Sequence, residues 1–175
     1  WKNLDDRLKD ASWHTVDGVH YGVPYMWGPN VLLYNTNVFP EPPTSWSVVF
    51  EEQNLPDGQS NKGRVQAYDG PIHVADAAQY LMAHKPELGI TNPYALDETQ
   101  FQAAVDLLKA QRAVIGRYWG LYTDEIAAFQ SGDSVLGTTW QVIANVLQDP
   151  AAPTPVDVVL PKEGATGWSD TWMLS

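Results

Sequence analysis

Two tryptophans and two aspartates stand where this chain could hold a ligand. Trp140 closes a predicted strand over 134–139, and Asp69 directly follows another over 64–68. Trp168 and Asp170 alternate with Trp172 on a predicted strand over 168–174, so the three share one face. Indole faces attract ammonium groups and cover methylene carbons, while a carboxylate accepts charge-assisted hydrogen bonds from an amine. That residue set suits retention of an organic cation and supplies no bond-breaking step. In an open parallel sheet, ligands gather beyond the carboxyl ends of the strands, which is where Trp140 and Asp69 fall. Eight Trp and eight Tyr are many for 175 residues. Of Trp1, Trp13, Trp46, Trp119 and Trp172, most are expected to pack cores.

Other chemistries find little support. The four histidines, at 14, 20, 73 and 84, include no i,i+3 or i,i+4 pair and no HExxH pattern, so they read as surface or core residues and not as metal ligands. There is no cysteine, no G-x-S-x-G elbow, no G-x-G-x-x-G and no P-loop, and nothing implies a cofactor. A carbohydrate hydrolase would need two acids about 5 to 10 Å apart. Asp69 and Asp170 are the pair to nominate, but 21 acidic residues make chance pairs common. The net charge of -11 repels phosphate backbones and anionic lipid, which argues against nucleic acid or peripheral membrane partners and permits a cationic one. No run approaches the roughly 18 apolar residues of a membrane span. The chain opens on Trp1 and closes on Ser175 after the apolar stretch 172–174, and both ends read as cuts in a longer polypeptide.

The elements that must position these residues are legible in outline. Apolar residues at 1, 4, 8 and 11 predict a short helix. Alternation around Asp17-Gly18 predicts a hairpin. Pro40, Pro42 and Pro43 stop an extended segment, and Thr44 or Ser45 would cap a helix to about Glu52. Residues 54–63 form a loop. Asp69-Gly70-Pro71 turns the chain into a helix over 72–84. Asp97 and Gln100 make a capping box for a helix with apolar residues at 101, 104, 105 and 108. A further helix begins at Thr123 or Asp124 and stops at Gly132, a helix over 142–148 follows Trp140, and 156–160 is a strand. Strands alternating with helices indicate an α/β lobe with a mostly parallel sheet flanked by helices.

One stretch is more specific than these patterns. Asp17-Gly-Val-His-Tyr21-Gly-Val-Pro-Tyr25-Met-Trp27-Gly28, then Val31-Leu-Leu-Tyr34-Asn35 and Ser45-Trp46, resembles the lobe-to-lobe crossover of bacterial extracellular solute-binding proteins of the spermidine/putrescine-binding group. Trp140 is similar to that family's strand-end Trp, Trp168-Ser-Asp170 to its W-x-D pair, and Asp69 to its amine-binding acid. The resemblance implies a type II periplasmic-binding-protein fold, with residues 1–30 as the end of the first lobe and hinge strand. Residues 31–167 would be the second α/β lobe, and 168–175 the return crossover.

It further implies a substrate-binding component of an ABC importer, made with a secretory signal and residing in the periplasm or as a Gram-positive lipoprotein. Its partners would be a small cationic amine and permease subunits, and it would catalyse nothing. Asp69, Trp140, Gln141, Trp168 and Asp170 would contact the ligand. Ile72 and Ile143 stand where polyamine binders tend to carry further acids. A long polyamine is therefore less secure, and 4-aminobutyrate becomes an alternative to putrescine or spermidine. A sugar on the same fold, or an interaction module using its aromatic face, are the remaining readings.

Overall fold

The computed structural model describes residues 1–174. In chain order the elements begin with β1 (Thr15–Val16), β2 (Val19–His20), β3 (Gly22–Asn35), α1 (Ser47–Phe50) and β4 (Val65–Tyr68). Then follow α2 (Ile72–His84), α3 (Glu98–Gln111), β5 (Ile115–Trp119) and α4 (Tyr122–Ser131). The chain finishes with β6 (Leu136–Trp140), α5 (Gln141–Leu147), β7 (Val156–Val159) and β8 (Gly167–Met173). Two compact units result: Asn30–Thr166, and Trp1–Pro29 with the strand from Gly167 onward.

The larger unit is a sheet covered on both faces. Its strand order is β5-β4-β6-β3-β7. β4 runs parallel to β5 and β6, while β3 runs antiparallel to β6 and β7. Four strands therefore point one way and β3 alone opposes them, which makes the sheet mixed although mostly parallel in direction. Helical crossovers join the co-directional strands, as parallel pairing requires. The second half of β3, Val31-Leu32-Leu33-Tyr34, is apolar at every position because neither face meets water. Leu32 and Tyr34 enter one core with Val65, Leu81 and Leu136. Leu33 enters the other with Trp119, Phe129, Ile143 and Leu147. The alternation of faces along a strand divides one apolar run between two cores.

Local chemistry fixes the helices. The capping box forms as expected: the Gln100 N–H donates to the Asp97 carboxylate at 2.8 Å, and the Asp97 N–H donates to the Gln100 side chain at 3.1 Å. Gly132 ends α4 in the left-handed region at φ 80°, a conformation that glycine adopts at least cost. The α1 helix is shorter than expected, and its N-cap residue, Trp46, makes no side-chain cap. Ser45 instead takes the Ser47 N–H at 3.1 Å and gives its own proton to Glu163. The Glu163 carboxylate also receives the Trp46 N–H at 3.2 Å and sits 2.9 Å from His84 Nε2. Burial raises this acid, but the Ser45 and His84 hydrogen bonds outweigh it and hold the carboxyl below its usual range.

The smaller unit is built differently. Asp17 (φ 50°) and Gly18 (φ 77°) make the predicted two-residue turn between β1 and β2. The first half of β3 pairs antiparallel with β8, with a bulge between Pro24 and Met26. The helix predicted over 1–11 is absent; only a 3₁₀ turn, Asp6–Leu8, forms. Eleven residues are marginal for a helix without packing. Here the Asp5 carboxylate takes the Arg7 N–H at 2.9 Å and its guanidinium at 3.0 Å, a local alternative to helical bonding. Those hydrogen bonds hold the Asp5 carboxyl at about 2. The core expectation holds for Trp46 and Trp119, which are buried, and fails for Trp1, Trp13 and Trp172, which are exposed. Trp172 is 70% exposed and rests on the bulged Tyr25, with ring centroids 5.3 Å apart.

Candidate functional site

Within the larger unit the carboxyl ends of β4, β5 and β6 meet along one edge. Each ends on an aromatic residue: Tyr68, Trp119 and Trp140. Their rings form a closed set, with Tyr68 4.7 Å from Trp119, Tyr68 5.3 Å from Trp140, and the two indoles 5.0 Å apart edge-to-face. Such tilted and edge-on pairs are favoured by ring quadrupoles and hold each ring in one orientation. Trp119 is fully buried beneath, while Tyr68 and Trp140 are half-buried. The sheet therefore presents two aromatic surfaces supported by a third.

Asp69 follows Tyr68 on the same edge and is exposed. Its N–H donates to the Trp119 carbonyl at 3.0 Å, continuing the β4–β5 ladder one residue past the strand. The next residue, Gly70, has no room for a side chain, because a Cβ there would lie 2.2 Å from the Tyr68 ring. Tyr68 thus folds back over Gly70 while Asp69 stays at the surface. Opposite in register, Asn30 of β3 pairs with Trp140, and its side-chain oxygen accepts the Trp140 indole N–H at 3.1 Å. The larger unit so brings Asp69 and Trp140 to one rim, with an acid beside aromatic faces.

Gln141 stands next to Trp140 as the first residue of α5 and is exposed. Its amide donates to Asn145 Oδ1 at 3.0 Å, one turn along the same helix. Trp168 and Asp170 belong to the smaller unit, on β8. Gly28 pairs with Trp168, and a Cβ at Gly28 would lie 2.9 Å from the indole, so the half-buried ring lies across this glycine. Asp170 pairs with Met26 and is exposed.

Three residues of the larger unit's rim escape sequence reasoning as site residues: Tyr68, Trp119 and Asn30. Tyr68 and Trp119 share with Trp140 the signal of an aromatic residue at a strand's carboxyl end, but the β5 strand itself is not recognisable in the sequence. Asn30 carries no signal beyond a polar residue at the head of an apolar run. Among the described residues no cluster of three or more His, Asp or Glu could hold a metal ion, and no helix is long and apolar enough to cross a membrane. His14 and His73 are buried with hydrogen-bond partners, while half-buried His20 and exposed His84 each lie beside a carboxylate.

Comparison with known proteins agrees with this architecture. The chain is 28% identical over 155 residues to the spermidine/putrescine-binding periplasmic protein of Escherichia coli (strain K12), covering 86% of this chain and 38% of that protein. It is 25% identical over 186 residues to a putrescine/agmatine-binding protein of Pseudomonas aeruginosa, covering 99% of this chain and 47% of the relative. The chain thus spans less than half the length of these curated relatives. Among solved structures, a spermidine/putrescine ABC transporter substrate-binding protein from Streptococcus pneumoniae superimposes with a TM-score of 0.72 at 18% identity, over 98% of this chain and 47% of that one. At that identity the likeness shows the fold, which is the periplasmic-binding-protein type that the crossover motif implies. The profile of the bacterial extracellular solute-binding proteins matches residues 1–175, and the chain belongs to that family.

Proposed function

We propose that the protein captures a small aliphatic amine in the periplasm and delivers it to the permease of an ABC importer. The observation that carries this reading is the aromatic rim of the larger unit, Tyr68 and Trp140 over buried Trp119, with exposed Asp69 beside it. Trp140 and Trp168 would cover the methylene stem of a diamine, and Asp69 and Asp170 would receive its ammonium groups. Gln141 gives one amide N–H to Asn145, and its Oε1 and second N–H would make the ligand contact. The names of the curated relatives support a polyamine or diamine cargo, and the net charge of -11 favours the approach of a cation. Ile72 and Ile143 leave the site short of acids for a long polyamine, so putrescine, spermidine and 4-aminobutyrate all belong in the test.

Residues 1–29 and 167–174 would serve as the hinge side of a two-lobed trap in this reading, with the lobes closing over the amine. Calorimetric titration of the intact protein with the three amines should give saturable heat with at least one. Asp170→Asn should weaken that binding by about 1 kcal/mol or more, since a charge-assisted hydrogen bond is lost. Absence of heat with all three would end the amine assignment.

A further inference from the structure

We propose that Asn30 is the positioning residue for Trp140: it sets the orientation of the indole that the amine reading places against the ligand, and this proposal rests on that reading. The Asn30 side chain is buried, 4% exposed, and makes contacts that only a primary amide satisfies together. Its Oδ1 accepts the Trp140 indole N–H at 3.1 Å. Its Nδ2 donates to Thr166 Oγ1 at 2.7 Å and to Asp76 Oδ1 at 3.4 Å. Its backbone N–H donates to the Thr166 carbonyl at 2.9 Å.

The direction of the amide follows from its neighbours. Thr166 gives its hydroxyl proton to Asp76 Oδ1, so its oxygen is left to accept from Asn30. Both groups on that side, Thr166 Oγ1 and the Asp76 carboxylate, are acceptors, and Nδ2 must face them. Oδ1 therefore has one way to point, toward Trp140. Asp76 is itself fixed, because His73 Nδ1 lies 3.2 Å from its Oδ2. His73 Nε2 lies 2.9 Å from Gln111 Oε1, and Gln111 in turn donates to the Val49 carbonyl at 3.1 Å. This chain of buried polar groups runs from the carbonyl of α1 through α3 and α2 to the rim, and each link restricts the next.

Neighbouring residue types would not serve. Aspartate at position 30 would set a second carboxylate against Asp76, with no donor for Thr166. Leucine would leave the indole N–H, the Thr166 hydroxyl oxygen and Asp76 each short of a partner. A serine or alanine would not reach the indole across the strand pair.

The test is a double-mutant cycle on the intact protein, with putrescine and spermidine as the titrants. Asn30→Leu should weaken amine binding about 10-fold, and Trp140→Phe, which keeps a ring but lacks the N–H, should weaken it at least as much. In the Trp140→Phe background, Asn30→Leu should add less than about a further twofold, because the link it would break is already gone. The Trp140 indole N–H, identified by its loss from the nitrogen-15 spectrum in Trp140→Phe, should exchange slowly with D₂O in the unsubstituted protein and quickly in Asn30→Leu. Full additivity of the two losses would overturn the proposal, as would unchanged binding by Asn30→Leu. If Asn30→Leu does not fold, exchange in the unsubstituted protein still decides: protection supports the link, and exchange at the rate of free indole overturns it. Failure of the unsubstituted protein to bind either amine would strike the amine reading, while the exchange result would still judge the Asn30–Trp140 link.

Discussion

The two tryptophans nominated for the ligand are held by different means. Trp140, in the larger unit, is gripped by ring contacts to Tyr68 and Trp119 and by a hydrogen bond to Asn30 from a buried polar chain. Trp168, in the smaller unit, lies across Gly28 on a strand whose other large side chains, Trp172 and Met173, are exposed. The Trp140 indole is oriented by a hydrogen bond to a buried amide, and the Trp168 ring is seated against a glycine. Directional support specifies an orientation, and a glycine beneath a ring lets the backbone approach it closely.

Replacing the glycine beneath each ring separates these two kinds of support. Gly70→Ala places a methyl group 2.2 Å from the Tyr68 ring, which is locked among Trp119 and Trp140, and should cost about 1 to 3 kcal/mol in denaturant unfolding. Gly28→Ala places its methyl group 2.9 Å from Cζ2 of the Trp168 indole, a looser approach than the 2.2 Å at Gly70. Its stability cost should be clearly smaller, with the change appearing in Trp168 fluorescence instead. Equal costs would erase the distinction drawn between the two units.

Acidity probes the larger unit from below. Glu125 of α4 is fully buried, and among the described residues no group within ordinary hydrogen-bond geometry reaches its carboxyl oxygens. Burial pushes this acid well above the usual carboxyl range, with the nearby Thr139 hydroxyl opposing. A folded acid that holds its proton longer than the unfolded chain contributes a stability that is greatest at low pH. That contribution declines as pH rises through the ordinary carboxyl range toward the raised folded value. Glu125→Gln removes the linkage. The variant should be more stable than the parent at neutral pH by at least about 1 kcal/mol, with the gap closing near pH 4, as read by thermal unfolding across that range. A gap that widens on acidification would contradict the assignment.

The smallest effect is expected on the smaller unit's open face. Trp172 is 70% exposed, so Trp172→Ala should change the stability of this chain by no more than about 0.5 kcal/mol. A loss of several kcal/mol would show that the indole is buried in solution.

Much of this arrangement is legible in the order of residues alone. The helix over 72–84, the Asp97 and Gln100 box, the Asp17-Gly18 turn and the strand ending on Trp140 all declare themselves through local chemistry that tertiary packing does not override. The β5 strand does not, because Ile115-Gly-Arg-Tyr-Trp119 lies at the sheet's edge with Gly116, Arg117 and Tyr118 exposed, and so shows neither alternation nor an apolar run. The helix expected over 1–11 fails for the converse reason, a helical stripe with no core to receive it. Asn30 and Asp76 are hidden because their roles depend on partners far away in sequence: Thr166 lies 136 residues from Asn30, and Trp140 110.

The central claim is that aromatic faces and carboxylates hold a charged guest, and charge is what the decisive measurement must vary. Titration of the intact protein with putrescine and with 1,4-butanediol, which keeps the carbon chain and replaces each ammonium by a hydroxyl, isolates it. Loss of two charge-assisted hydrogen bonds predicts that the diamine binds about 100-fold more tightly, with the preference collapsing in Asp69→Asn together with Asp170→Asn. Equal affinity for the diamine and the diol, or a diamine preference untouched by both substitutions, would contradict the account.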